Sequence, residues 1–180
     1  QQQITHELAF DADDEVRLTT KNSVPNTRFG WYMDLVSPPA AAPVRRGERA
    51  VSQPILRNGK IIFTTLIPSG DACDAGGSSW LMEMDALTGG RPDTPVFDLN
   101  DDGTFTDSDS VDHDNDPNTP KLPPSGRRSR VGIIQTPAII SAGAVEYKVT
   151  GGSTGGIESI TEKGSLHKGR NAWRQLWPGE

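Results

Sequence analysis

Between residues 51 and 68 the chain reads VSQPILRNGKIIFTTLIP, two apolar runs separated by Asn58-Gly59. That dipeptide takes the positive φ angles of a two-residue hairpin turn more readily than almost any other. The run after it is β-branched and aromatic, as a strand packed in a sheet should be. The pattern predicts a hairpin here. WLMEMDALTGG at 80–90 follows, with a third strand over 81–85 and a turn over 86–90. PVFDL at 95–99 would be a short fourth strand. Four consecutive antiparallel strands joined by turns make one blade of a β-propeller.

A second unit starts at VGIIQTPAIISAGAVEYKV, residues 131–149, with a small-residue turn at 141–143. QPILRNGKIIF and TPAIISAGAVEY match as two copies of one pattern, which points to a repeated unit. Upstream, ELAFDADDEVRLTT (7–20) and RFGWYMDLV (28–36) read as strands of a preceding blade. SPPAAAP (37–43) reads as a proline-rich connector and TGGSTGG (150–156) as a loop. NAWRQLW (171–177) reads as a tail packed through Trp173 and Trp177. Nineteen glycines and fourteen prolines set turn signals at short intervals, and no clear amphipathic helix of useful length stands out. The expected fold is all-β: antiparallel four-stranded blades of a partial, modified propeller. The blade-like units cover about 47–99 and 131–180, with an acidic insertion at 98–130.

That insertion changes the picture. FDLNDDGTFTDSDSVDHDNDPN at 97–118 holds eight aspartates and neither lysine nor arginine. The whole chain carries 24 acidic and 18 basic side chains, a net charge of −6. Setting those eight aside leaves 16 against 18, a balance of +2. The protein is near neutral apart from one intensely acidic segment, which points to a cation and away from nucleic acid. The basic run GRRSR at 126–130 is too short to outweigh it. Such a run is either solvated and extended by its own repulsion or folded around a positive charge.

Its spacing favours the second reading. Calcium takes six to eight oxygen ligands, and a tight loop supplies them from alternate positions with a glycine at position six. Asp98, Asn100 and Asp102 fall at positions 1, 3 and 5, and Gly103 at position 6. Thr104 at position 7 would offer its carbonyl, Thr106 at position 9 its hydroxyl or a water, and Asp109 stands at position 12. The string fits D-x-N-x-D-G-x5-D, with Asp in place of the usual closing Glu. Phe105 at position 8 is the expected inward anchor. Magnesium needs a smaller octahedral cage. Zinc would want His and Cys, with His113 the only such residue nearby in sequence. Downstream, Asp112, Asp114 and Asp116 alternate without a glycine turn, since Pro117 takes that place; they belong to a second ion or to a solvent-exposed loop.

Several segments together resemble one family, the C-terminal domain of the PilY proteins, type IV pilus tip-associated biogenesis factors and adhesins. They are GWYMDLV (30–36), GERAVSQPILRNGKIIFTTLIPSGDACDAGGSSWLMEMDALTGG (47–90), the loop after PVFDLN, and the closing GSTGGIESITEKG with AWRQLW. The resemblance covers nearly the whole chain and is weakest over 1–25. It implies the extreme C-terminal part of a longer secreted protein, in keeping with a first residue, Gln1, that suggests a processed or cut product. It also implies a calcium loop at Asp98, Asn100, Asp102 and the Thr104 carbonyl. The family commonly has aspartate where this chain has Thr106, which leaves Thr106, Asp107 and Asp109 as candidates for the next ligand. The implied role is support of pilus extension against retraction, tuned by calcium, with twitching motility, mechanosensing and surface adhesion. The implied partners are minor pilins at the pilus tip, the host-cell surface and the remaining blades of the parent chain. The implied location is the cell surface or pilus tip of a Gram-negative bacterium. An RGD tripeptide is absent; the nearest string, Arg46-Gly47-Glu48, reads as a turn.

Rival classes fit less well. MDALTGG resembles the D-x-x-T-G turn of quinoprotein dehydrogenase propellers, but the chain is too short for a complete ring and shows no nucleophile motif beside His6, His113 or His167. The expectation is therefore a protein that is not an enzyme. Dockerins need two calcium loops, each followed by a helix, and one loop is present. A β-domain merely stapled by calcium stays open as an alternative. The lone Cys73 excludes an internal disulfide and reads as a buried small residue or as the partner of a cysteine elsewhere. No apolar run approaches the roughly 18 residues of a membrane helix, so no membrane insertion is expected in this segment.

Overall fold

The computed structural model describes residues 1–39, 41–70 and 76–164. Cys73, His167 and the tail at 171–177 lie outside the described residues. Among the described residues, nine strands form two antiparallel sheets. β1 (Ile4–Ala9), β2 (Glu15–Thr19), β3 (Ile55–Arg57), β4 (Lys60–Pro68), β5 (Gly77–Asp85) and β6 (Gly126–Arg128) make a six-stranded sheet in the order β1-β2-β6-β5-β4-β3. β7 (Ala138–Ala142), β8 (Val145–Gly151) and β9 (Ile157–Lys163) make a three-stranded meander.

The expected hairpin forms at its expected turn. Asn58 (φ 51°) and Gly59 (φ 76°) link β3 to β4 with Arg57 opposite Lys60. β5 then pairs with β4 along its whole length, from Lys60–Asp85 to Pro68–Gly77, so this strand is longer than the 81–85 read from the sequence. The exit turn is tied by Asp85, whose Oδ1 accepts hydrogen bonds from the backbone of Leu87 and Thr88 and from the Thr88 hydroxyl. β7 and β8 form the second expected hairpin, turning at Gly143 (φ 71°).

Three readings need correction. Residues 95–99 do not add a fourth strand beside β5. They cross to the second sheet instead, where Phe97 bridges Glu162 and the Asp98 amide donates to the Thr161 carbonyl. The place beside β5 goes to β6, at the far end of the acidic insertion, and β6 in turn pairs with β2. A glycine at 126 makes this possible, because a Cβ there would collide with the Met82 sulfur. The segment 28–36 is not a strand either; among its residues only Met33 makes a bridge, with Gln2. Of its three aromatics only Trp31 packs, lying on the turn after β5 and donating from Nε1 to the Ala86 carbonyl, while Phe29 and Tyr32 are exposed. Finally, ELAFDADDEVRLTT forms a hairpin at the edge of the same six-stranded sheet rather than a separate blade.

The six-stranded sheet is buried on both faces, as strand alternation requires when each face is covered. Trp80, Met82, Met84 and Ile67 pack on one side with Trp31 and Met33. Val16, Leu18, Leu81 and Ile62 face the other way. There they meet Val96 and Phe97 just before the acidic insertion, Leu99 and Val111 within it, and Ile160 from β9. The arginines of GRRSR turn to internal partners: Arg127 and Arg130 both bind Asp14, and Arg128 binds Glu15. Arg46-Gly47-Glu48 does include a tight residue, Gly47 at φ 70°, but Glu48 is not free. It forks onto the fully buried Arg17, which also stacks 4.1 Å over the Trp80 ring.

Candidate metal centre

The acidic insertion leaves the core at Leu99 and re-enters it at Val111, both buried. Between them the chain is pulled tight by side chains that accept hydrogen bonds from its own backbone. Asp98 Oδ1 accepts from the amide of Asp102 at 3.1 Å, and Oδ2 from that of Gly103 at 2.9 Å. Asn100 Oδ1 accepts from Asp102, and Asp102 Oδ1 from both the amide and the hydroxyl of Thr104. Asp101 (φ 57°) and Gly103 (φ 75°) supply the left-handed turns that such wrapping needs; glycine takes that conformation without a Cβ penalty.

Asp109 closes the loop from the other end. It ends a one-turn 3-10 helix, Asp107–Asp109, capped by Thr106. Its Oδ1 accepts from Leu99 and its Oδ2 from Thr106, each at 2.9 Å, and the residue has no solvent exposure. Thus Asp98, Asn100, Asp102 and Thr104 are brought together as one turn, Thr106 and Asp109 as its clasp. Ser108, not singled out from the sequence, joins the two: its hydroxyl accepts from Asn100 Nδ2 at 3.1 Å and lies 2.7 Å from that of Thr106. Phe105 is only half-buried and stands outside the two core clusters; the apolar anchor of the loop is Leu99.

The electrostatics are unbalanced. Asp98 and Asp109 are 2% and 0% exposed, and among the described residues neither has a basic side chain in ion-pairing range. Burial pushes the Asp98 carboxyl up; the amides of Gly103 and Asp102 pull against this, while the charges of Asp109 and Asp101 add to it. Burying a carboxylate without a counter-charge is costly, so a hard cation with oxygen ligands fits this donor set. The carboxylates are not fully gathered, however. Among the described residues, the one group of three His, Cys, Asp or Glu side chains with ligand atoms within 4.8 Å of one another is Asp112, His113 and Asp114, further along the insertion. Asp102 and Asp109 each spend their oxygens on local donors instead. Asp116, read with Asp112 and Asp114 from its spacing, turns away to bind Asn118.

A fold of two antiparallel sheets with an acidic excursion packed between them has relatives. A PilY1 homolog of Xylella fastidiosa, a type IV pilus biogenesis factor, is 35% identical over 78 residues, 42% of this chain and 5% of its own. A second from the same organism is 42% identical over 72 residues, 39% of this chain and 6% of its own. The PilY1 of Pseudomonas aeruginosa is 33% identical over 91 residues, 47% of this chain and 8% of its own. The crystal structure of the P. aeruginosa PilY1 C-terminal domain superposes with a TM-score of 0.64 at 19% identity, over 90% of this chain and 31% of that one. Over these segments this chain is similar to PilY1 type IV pilus biogenesis factors. No family model matches it. It spans less than a tenth of the length of these PilY1 relatives. The all-β, antiparallel, propeller-like architecture is that of the PilY1 C-terminal domain. The PilY1 relatives are named as biogenesis factors.

Proposed function

We propose that this chain is a calcium-binding, non-enzymatic segment of a type IV pilus biogenesis protein at the surface of a Gram-negative cell. One observation carries the calcium reading: the buried Asp98 carboxylate, uncompensated by any basic side chain among the described residues, at the head of a turn that wraps its amides as a calcium loop does. Asp98, Asn100, Asp102 and the Thr104 carbonyl would hold the ion, with Thr106 or Asp109 completing the set. The charge of the ion would offset the mutual repulsion of the aspartates and the burial of Asp98. The loop lies between the two sheets through Leu99, Val111 and Phe97, so occupancy there would stiffen their junction. By the likeness to PilY1, that stiffness would bear on pilus extension against retraction, on twitching motility and on adhesion through minor pilins or a host surface. A permanent staple is the alternative, favoured by the clasp at Asp109, which holds the loop through protein donors alone.

Calorimetric titration of the chain with calcium, beside an Asp98→Ala, Asp102→Ala variant, tests this. One site lost in the variant supports it. Affinity tighter than about 10⁻⁶ M assigns a staple, and values between about 10⁻⁴ and 10⁻³ M, the range of extracellular modules, permit a switch. An absence of calcium heat together with an unchanged melting temperature in calcium would remove both readings.

A further inference from the structure

His6 and His113 are 107 positions apart in the chain and in contact in the fold. Their rings meet edge to face, 5.5 Å between centroids and 82° apart. Two features of the fold bring this about. β1 carries a bulge between Ile4 and His6: Ile4 stands opposite Thr19, but His6 stands opposite Leu18. The extra residue turns His6 onto the face of the sheet that Leu18 and the acidic insertion share, since one residue of slip exchanges the faces of a strand. On the insertion side, Val111 and Leu122 exchange both backbone hydrogen bonds at 2.9 Å and close residues 112–121 into a loop, with His113 just inside its neck.

Each imidazole has a ring nitrogen, Nδ1, that is shut off from solvent and has no hydrogen-bond partner. An unpaired buried polar atom of this kind is costly and calls for a partner. Beside them, the ligand atoms of Asp112, His113 and Asp114 lie within 4.8 Å of one another, with His113 Nε2 4.0 Å from Asp114 Oδ2. Neighbouring donors on a tetrahedral ion with bonds of about 2 Å sit about 3.3 Å apart, so side-chain rotation is needed to close the set, and His6, which stands outside that group of three but against His113, must turn in toward it. Two imidazoles and two carboxylates suit a borderline cation such as zinc far better than calcium, which takes oxygen alone.

We infer that His6, His113, Asp112 and Asp114 form a second metal site, for a divalent transition ion of the zinc class, which clamps the loop of the acidic insertion to the edge strand β1. This site is separate from the calcium loop and stands or falls without it.

The test uses zinc and cobalt(II) on the full chain in buffer containing calcium, with zinc affinity read by competition against a chromogenic chelator. One zinc per chain is expected, together with the visible absorption bands of four-coordinate cobalt. His6→Gln and His113→Gln should each weaken zinc by more than the about 10–100-fold that loss of an outer-shell partner costs. Asp98→Ala, Asp102→Ala should leave zinc binding unchanged. Thermal unfolding of each variant without metal establishes that it folds; if a glutamine variant does not, Asp112→Asn with Asp114→Asn takes its place and should show the same loss. Undetectable zinc binding, zinc affinity that survives either histidine change, or zinc lost with the calcium-loop variant would each overturn the proposal.

Discussion

Lys148 on β8 and Glu83 on β5 meet at 2.6 Å inside the protein, one from each sheet, and neither is more than 5% exposed. Lys148 also contacts Glu162 on β9, and Glu83 accepts from Lys60 at 2.8 Å. Two lysines thus offset two glutamates between the sheets. The junction of the two sheets is a charge-neutral cluster set among Ile62, Leu81 and Ile160, not an apolar seam throughout.

Removing the central cation should therefore cost more than removing the whole group. Lys148→Met leaves Glu83 and Glu162 facing each other with Lys60 alone, and is expected to destabilise by about 3–5 kcal/mol. Adding Glu83→Gln and Glu162→Gln to it should recover part of that loss. Urea denaturation midpoints of the single and triple variants check this; a triple variant that is worse than the single by the full additive amount would speak against the cluster as a unit.

The same cluster sets a pH dependence. Burial by itself would raise the Glu83 carboxyl, but Lys148 and Lys60 more than reverse this and hold it below its ordinary value. A depressed folded pKa means that the unfolded chain takes up the proton first, so stability is fully present above the ordinary Glu range of about 4.3. It is lost as pH falls from there through the folded value. Melting temperatures followed from neutral pH into the acid range should decline more gently in Glu83→Gln than in the parent. Equal slopes would show that other carboxylates dominate.

Asp98→Asn should act in opposite directions in the two metal states. With calcium chelated, the change removes a buried charge that has no basic partner among the described residues, and stability should hold or rise. If calcium binds as proposed, then at about 100 times the dissociation constant the parent should gain about 2.7 kcal/mol from binding and the variant should forgo most of it. Thermal scans in chelator and in calcium decide; a loss of equal size in both would assign Asp98 a purely local role in holding the turn.

Gly89→Ala probes the aromatic segment at 28–36. Gly89 sits at φ 68°, and a Cβ there would run into the Trp31 ring. The left-handed backbone costs about 1–2 kcal/mol for a residue with a Cβ, and displacing the ring adds about 1–3 kcal/mol. The near-ultraviolet circular dichroism of the tryptophans should change along with the melting temperature. An unchanged spectrum would mean that Trp31 does not depend on this contact.

The two hairpins were legible because each is local. Asn58-Gly59 and Ser141 to Gly143 set their own turns, and the apolar runs beside them had nowhere to go but into a sheet. The tight turn of the acidic segment was legible for the same reason, since Asp98 to Asp109 lie within one short loop and wrap their own backbone. β6 was not legible: Gly-Arg-Arg has no strand pattern, and it pairs because β2 and β5 leave a gap that a glycine can enter. Nor was the detour of Phe97 to β9, since PVFDL is equally apolar toward either sheet.

Local chemistry thus carried the strand type, the turns and the acidic loop, because each depends on residues a few positions apart. Which strands became neighbours, that Glu83 would share its charge with Lys148, and that His6 would stand beside His113 depended on how the sheets close on the insertion. Those pairings join residues about 65 and 107 positions apart, and their free energy comes from burial and charge compensation that exist only once the chain has folded.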